Sequence, residues 1–135
     1  ILNRMFCKYF CEKEVFDQLY MTKNNIRELY ENGHVIGSHT HSHKVLSRLN
    51  KIEQEDEIEK SEQILKSLLG DRWSDNLTFC YPYGGSKSFN RETIEILRKR
   101  KYSVSFMVDN VKVNKNNIKY PYKIKRIDCN RFLNV

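Results

Sequence analysis

Residues Val35–His43 read VIGSHTHSH and hold three of the chain's four histidines, His39, His41 and His43, with His34 just outside. His39 and His43 stand at i and i+4. Two imidazoles can share a metal ion only if each brings a nitrogen to ~2.0–2.1 Å from it. An extended chain would hold their Cα atoms roughly 13 Å apart, at ~3.3 Å per residue. One turn of helix would bring them to about 6 Å on a common face. The expectation is a strand ending near Ser38, then a turn or helical turn carrying His39 and His43 as metal ligands. His41 points elsewhere, to pack or to contact substrate, and His34 is a loop residue.

Working outward, 135 residues suffice for a single domain with a real core. No apolar run approaches the ~20 residues of a membrane span, and no secretory signal is visible. The chain begins on Ile1 and apolar material (Leu2, Met5, Phe6), which leads us to expect a missing N-terminal part. A net charge of +7 can indicate nucleic acid or an anionic substrate. Here the cations are dispersed, and the one dense run, Arg98–Lys101, falls at an expected helix C-terminus, where cations complement the helix dipole. No nucleic-acid partner is expected. Cys7, Cys11, Cys80 and Cys129 are too sparse for a disulfide scaffold. Reduced thiols, as in a cytosolic setting, are expected.

In chain order, residues 5–20 carry Met5, Phe6, Tyr9, Phe10, Val15, Phe16 and Leu19 at helical spacing. Thr22 caps a helix over Lys23–Glu31, closed by Asn32-Gly33. Lys51–Leu69 is the clearest helix, with Ile52, Ile58, Ile64, Leu65, Leu68 and Leu69 as its buried stripe. Glu55, Asp56, Glu57, Glu59 and Glu62 form its wet face. Leu77–Cys80 reads as a strand running into the loop Tyr81-Pro82-Tyr83-Gly84-Gly85, which Pro and two Gly force. Asn90 caps a helix over Arg91–Lys101. Tyr102–Val108 alternates as a strand, Lys112–Lys119 is polar loop, and Ile124–Cys129 is a last short strand. Helices alternating with strands predict an α/β fold with a parallel sheet. In such folds chemistry gathers at the carboxyl ends of the strands, and the histidine turn and the Tyr83 loop both follow strands.

The stretch Gly33-His34-Val35-Ile36-Gly37-Ser38-His39-Thr40-His41-Ser42-His43 resembles the second motif of the polysaccharide deacetylase family, the NodB-homology domains, which runs G-H-x-I-G-[SN]-H-[ST]-x-S-H. Phe79-Cys80-Tyr81-Pro82-Tyr83-Gly84 resembles the third, commonly F-R-x-P-Y-G. The motifs occur in family order with a long helix between them, and the likeness covers most of residues 20–110. It implies a deformed, incomplete (β/α) barrel. It also implies a metal-dependent hydrolase that removes N- or O-linked acetyl groups from a sugar or polysaccharide, acting on C–N bonds other than peptide bonds. His39 and His43 would hold a divalent metal, zinc by expectation. The backbone N–H of Tyr83 would stabilise the oxyanion, as donors in a Gly-rich turn can. Pro82 would rigidify that turn, Tyr81 and Tyr83 would line a sugar pocket, and Arg126 would stand near the substrate.

The likeness has three departures. The family's opening motif, T-F-D-D-G, is absent and no Asp-Asp pair occurs in the sequence. That motif supplies the catalytic base and a further ligand in the family, so the expectation is that the motif lies upstream of Ile1 and that the given chain is inactive alone. Cys80 stands where the third motif usually has Arg. No histidine follows His43 to serve as the family's general acid, and only Arg126 or Asp128 offers a substitute. The alternative reading is a non-catalytic zinc-binding or carbohydrate-binding module. Cys7-x3-Cys11 with His39-x3-His43 would form a Cys2His2 zinc site, but 27 residues separate Cys11 from His39, against the usual ~12–15. Cys7 and Cys11 are expected on a core-facing helix side instead.

Overall fold

The computed structural model describes residues 9–109 and 115–128. The chain divides into two compact units, Ile1–His34 and Val35–Val135. Met5, Phe6, Cys7 and Cys129, on which some sequence expectations rest, lie outside the described residues.

In the first unit, helix α1 spans Glu12–Leu19 and helix α2 spans Lys23–Glu31. The Thr22 side chain accepts from the Asn25 amide, and Asn25 accepts in return from the Thr22 amide, a reciprocal cap that satisfies two of the orphan donors at the start of α2. Ile26, Leu29 and Tyr30 are half-buried along one side of that helix. No residue of α1 is buried. Cys11 is exposed at its N-cap, so the expectation of a core-facing cysteine fails there.

The second unit is the α/β part. Helix α3 spans Lys51–Leu69, strand β1 Thr78–Cys80, helix α4 Arg91–Lys99, strand β2 Val104–Val108 and strand β3 Ile124–Arg126. The sheet order is β1-β2-β3 and both pairings are parallel, Phe79 facing Ser105 and Met107 facing Lys125. Short 3-10 turns cover Leu46–Arg48, Asp71–Asn76, Asn117–Lys119 and Pro121–Lys123. The strand expected over Val35–Ser38 contracts to one parallel bridge, Ser38 to Phe79, on the free side of β1. Two hydrogen bonds hold it, from the Ser38 amide to the Thr78 carbonyl (2.8 Å) and from the Cys80 amide to the Ser38 carbonyl (2.9 Å). Gly37 permits that approach, since a Cβ there would lie 2.6 Å from Thr78 Oγ1. The Trp73 indole N–H donates to the Ile36 carbonyl at 2.7 Å and ties down the segment before the bridge.

Chain direction and pairing put four parallel passes side by side, with Ser38, Cys80, Val108 and Arg126 at their carboxyl ends. An aromatic core supports them. Phe79 lies edge-on to Tyr81 and Tyr102, and Tyr81 stacks on Phe89 at 3.8 Å between centroids. Each such ring contributes roughly 1.5–3 kcal/mol through burial. β2 alternates as expected, with Ser105 and Met107 buried and their neighbours half-buried.

Helix α3 keeps the expected bounds and buries Ile58 as expected, with Leu65, Leu68 and Leu69 half-buried, but the rest of its buried face is polar. Ile52 is 78% exposed and Ile64 52%, whereas Gln54, Glu57, Ile58 and Ser61 are buried. Those four still follow the i, i+3, i+4, i+7 spacing of a helix face. The reason is hydrogen bonding: Gln54 donates to the Leu49 carbonyl, Ser61 shares a hydrogen bond with Ser38, and Glu57 accepts from Ser42. Part of the basic run is likewise occupied, for Arg100 at the end of α4 pairs with both Glu59 and Glu62 of α3. Of the supposed wet acids, Glu57 is thus buried and Glu62 is half-buried.

Candidate active site

The two histidines that sequence spacing pairs are brought together, but not by a helical turn. The segment after Ser38 is a loop that bends at His41 and Ser42. Thr40 (φ 65°) and His43 (φ 57°) both take left-handed backbone conformations. The region is uncommon for non-glycine residues and a genuine outlier for β-branched Thr40, and residues held there cluster at functional sites. The reversal places the His39 and His43 rings 4.8 Å apart, centroid to centroid, in an edge-to-face arrangement. The His43 amide donates to Thr40 Oγ1 at 3.1 Å, which closes the turn locally. His41 is exposed rather than packed, and its amide donates to the Glu57 carbonyl at 3.0 Å.

Ring orientation is fixed at His39. Its Nδ1 lies 2.6 Å from the carbonyl oxygen of Cys80. A carbonyl only accepts, so Nδ1 carries the proton and Nε2 keeps its lone pair outward. This is the tautomer that a metal-ligating histidine adopts when its other nitrogen donates to a carbonyl. The contact uses main chain, so a cysteine supplies it as well as the arginine usual at that position.

The second loop follows β1. Tyr83 also has a left-handed backbone (φ 62°), and its ring lies 4.8 Å from that of His43. The ring is 64% exposed. Among the described residues its amide N–H has no acceptor, while its carbonyl accepts from Gly85 at 2.9 Å. Gly84 (φ 68°) packs so tightly on β2 that a Cβ would fall 2.3 Å from Val108 Cγ2, and the Val108 amide donates to the Gly84 carbonyl at 2.8 Å. The loop is therefore clamped to the carboxyl end of β2.

Tyr81, expected to line the sugar pocket, is buried instead, and Pro82 supports the turn from inside rather than meeting substrate. Tyr81 has no exposed surface; it stacks on Phe89 and donates its hydroxyl to the Tyr122 carbonyl at 2.8 Å. Burial pushes its hydroxyl pKa well up. Extended backbone would put Tyr81 and Tyr83, at i and i+2, on one face; the left-handed turn at Tyr83 breaks that pattern and leaves its ring exposed while Tyr81 stays in the core. Pro82 is also fully buried and acts as scaffold. Arg126 is exposed at the carboxyl end of β3, paired in register with Val108 of β2, on which Gly84 of the Tyr83 loop packs. Asp128 follows it, half-buried.

One residue of the site escaped sequence reasoning. Glu57 of α3 is 4% exposed and accepts from the Ser42 amide at 2.8 Å and from the Ser42 hydroxyl, with Lys44 Nζ at 3.4 Å. Burial raises its pKa, but the Ser42 hydroxyl, the Ser42 amide and Lys44 together outweigh burial and leave it below the usual glutamate value. The available signal was its place on one helical face with Gln54, Ile58 and Ser61. Among five nearby acids, composition alone could not single it out.

The donor set fits a divalent cation in part. Two neighbouring imidazoles, one with a defined free nitrogen at His39, suit zinc and its neighbours. Among the described residues no group of three His, Cys, Asp or Glu converges to complete a shell. A cavity of about 450 Å³ opens elsewhere, beside α4 between Asn90 and Lys123, and contains neither histidine nor Tyr83. Chemistry, not volume, marks the site.

The model of the family described as polysaccharide deacetylase matches residues 8–105. The chain belongs to the polysaccharide deacetylase family. A Bacillus cereus protein named peptidoglycan-N-acetylglucosamine deacetylase is 43% identical over 47 residues, which are 35% of this chain and 17% of that protein. The structure of the Streptococcus pyogenes deacetylase PplD in complex with acetate superimposes with a TM-score of 0.67 at 20% identity, over 79% of this chain and 44% of that one. The chain thus spans less than half the length of either relative. The likeness establishes the fold: the parallel passes of this polysaccharide deacetylase family member form part of an incomplete (β/α) barrel. Among the described residues no helix is long and apolar enough to cross a membrane.

Proposed function

We propose that this polysaccharide deacetylase family chain carries the metal-binding and oxyanion-stabilising half of a hydrolase that removes N- or O-linked acetyl groups from a sugar or polysaccharide. The observation that carries the reading is the His39 Nδ1 contact to the Cys80 carbonyl, which leaves Nε2 free on a ring that meets His43, whose own ring meets Tyr83. His39 and His43 would hold a divalent cation, zinc by preference. When bound, such an ion polarises an acyl oxygen and lowers the pKa of a coordinated water toward ~7.

The chain's own groups supply the rest. The acetyl carbonyl carbon is attacked by water, and its oxygen takes on negative charge. The unclaimed Tyr83 amide N–H donates to that oxygen, and its strained, clamped turn holds the donor in place before the charge develops. Removing one donor of this kind typically costs about 10²–10³ in rate. The exposed Tyr83 ring offers a face to the sugar. The C–N or C–O bond then breaks to give acetate and a free amine or hydroxyl.

No carboxylate in the described residues stands beside the two histidines to act as the base. The family's Asp-Asp motif would supply one, and the sequence has none. The test is acetate release from an acetylated glucosamine oligomer, with metal content measured in parallel, for the wild-type chain and for His39→Ala, each within the longest available form of the protein. The reading expects bound metal and acetate release in the wild type and loss of both in the variant. Unchanged acetate release by His39→Ala overturns it.

A further inference from the structure

One residue of α3 holds the middle of the histidine loop. The Glu57 carboxylate takes the amide and the hydroxyl of Ser42, and its main-chain carbonyl takes the amide of His41. These are the two residues directly before His43. One turn further along α3, Ser61 meets Ser38 through a hydroxyl pair at 2.6 Å, directly before His39. The helix therefore grips the loop on both sides of His39, at Ser38 and at His41–Ser42. Glu57 is buried, and its cation Lys44 is largely solvated. A buried carboxylate is costly unless donors surround it, so its position is specified by the loop it binds.

We infer that Glu57 is a positioning residue for the His39–His43 metal site, acting through Ser42. It makes no contact with substrate. One of its carboxylate oxygens accepts from the Ser42 amide and the other from the Ser42 hydroxyl, and together they hold the segment that turns left-handed at His43 (φ 57°). Without them the His43 ring loses its set distance from His39. Partners at one remove from a metal typically change affinity 10–100-fold when lost. The inference rests on the proposed reading that the two histidines bind metal.

The experiment titrates cobalt(II) into the wild-type chain and into Glu57→Ala, Ser42→Ala and the double variant, at a temperature where circular dichroism shows each folded. The expected result is 10–100-fold weaker cobalt binding by Glu57→Ala, an altered visible absorption band, and a double variant no weaker than Glu57→Ala. That non-additivity is the signature of action through Ser42; a general loss of stability would leave the band of the folded protein unchanged. If Glu57→Ala does not fold, Glu57→Asp decides: it keeps the charge but draws the carboxylate back from both Ser42 donors, and unchanged cobalt affinity and an unchanged band there overturn the inference. Equal affinity and an unchanged band in a folded Glu57→Ala overturn it while leaving the metal site standing. A wild-type chain that takes up no cobalt removes the metal site itself, and the inference with it.

Discussion

His39 Nδ1 donates to the Cys80 carbonyl across the bridge that joins the first parallel pass to β1. A main-chain bond at the end of a sheet thus sets which nitrogen of a side chain faces the site. Because that acceptor is backbone, the tautomer should not depend on the Cys80 side chain. Imidazole ¹⁵N shifts above the histidine titration range should show a protonated Nδ1 and a bare Nε2 at His39. The same pattern should persist in Cys80→Ala, and a tautomer switch in that variant would contradict the geometry.

Gly84 sits at φ 68° with the Val108 side chain 2.3 Å from where a Cβ would stand. Gly84→Ala combines backbone strain with overpacking, each costing about 1–3 kcal/mol. Urea unfolding should show a midpoint lowered accordingly, and the Tyr83 loop should lose amide-exchange protection. An unchanged midpoint would mean the clamp on β2 is absent.

Tyr81 belongs to the core. Tyr81→Phe retains the ring stack on Phe89 but leaves the Tyr122 carbonyl without the donor seen at 2.8 Å. A loss of about 1–2 kcal/mol in denaturant unfolding is expected, with substrate KM unaltered. A raised KM with unchanged stability would instead return Tyr81 to the substrate pocket.

Glu57 also sets an acid limit. Its pKa is lower in the folded chain than the ordinary 4.5: burial opposes ionisation, but Ser42 and Lys44 prevail. The unfolded chain therefore binds the proton more tightly. The contribution is fully present above the ordinary glutamate value and is lost as pH falls through the lower folded value. Thermal unfolding of the wild type should weaken on acidification below about pH 4.5, the ordinary glutamate range, and Glu57→Gln should flatten that part of the profile. An identical profile in the variant would assign the acid loss to other carboxylates.

Asn50 and Asn90 each cap their helix reciprocally, with Glu53 and Thr93 as partners. Asn90→Ala should cost about 1 kcal/mol, read as a lower melting temperature. Because α4 follows the Tyr83 loop, the metal affinity at His39 should stay constant in that variant.

Local chemistry in the sequence determined much of this protein. The i, i+4 histidines, the Pro-Gly loop after an apolar strand, the Thr22 and Asn90 caps and the helix over Lys51–Leu69 all depend on short-range spacing and capping. Those interactions form between residues a few positions apart, so they are written in consecutive letters. The loop joining His39 to His43 was legible as a close histidine pair but not as two left-handed residues, because that backbone is uncommon for non-glycine residues and disfavoured by β-branched Thr40. One local bond, from the His43 amide to Thr40 Oγ1, closes it, and long-range bonds from His39 to the Cys80 carbonyl and from Ser42 to Glu57 hold it in place, across 41 and 15 residues. The same limit explains α3, where apolar periodicity pointed to Ile52 and Ile64 while the tertiary structure buried Gln54, Glu57 and Ser61. Polar side chains go inside when they satisfy backbone and hydroxyl groups of distant segments, and that partnership exists only once the chain has folded around it.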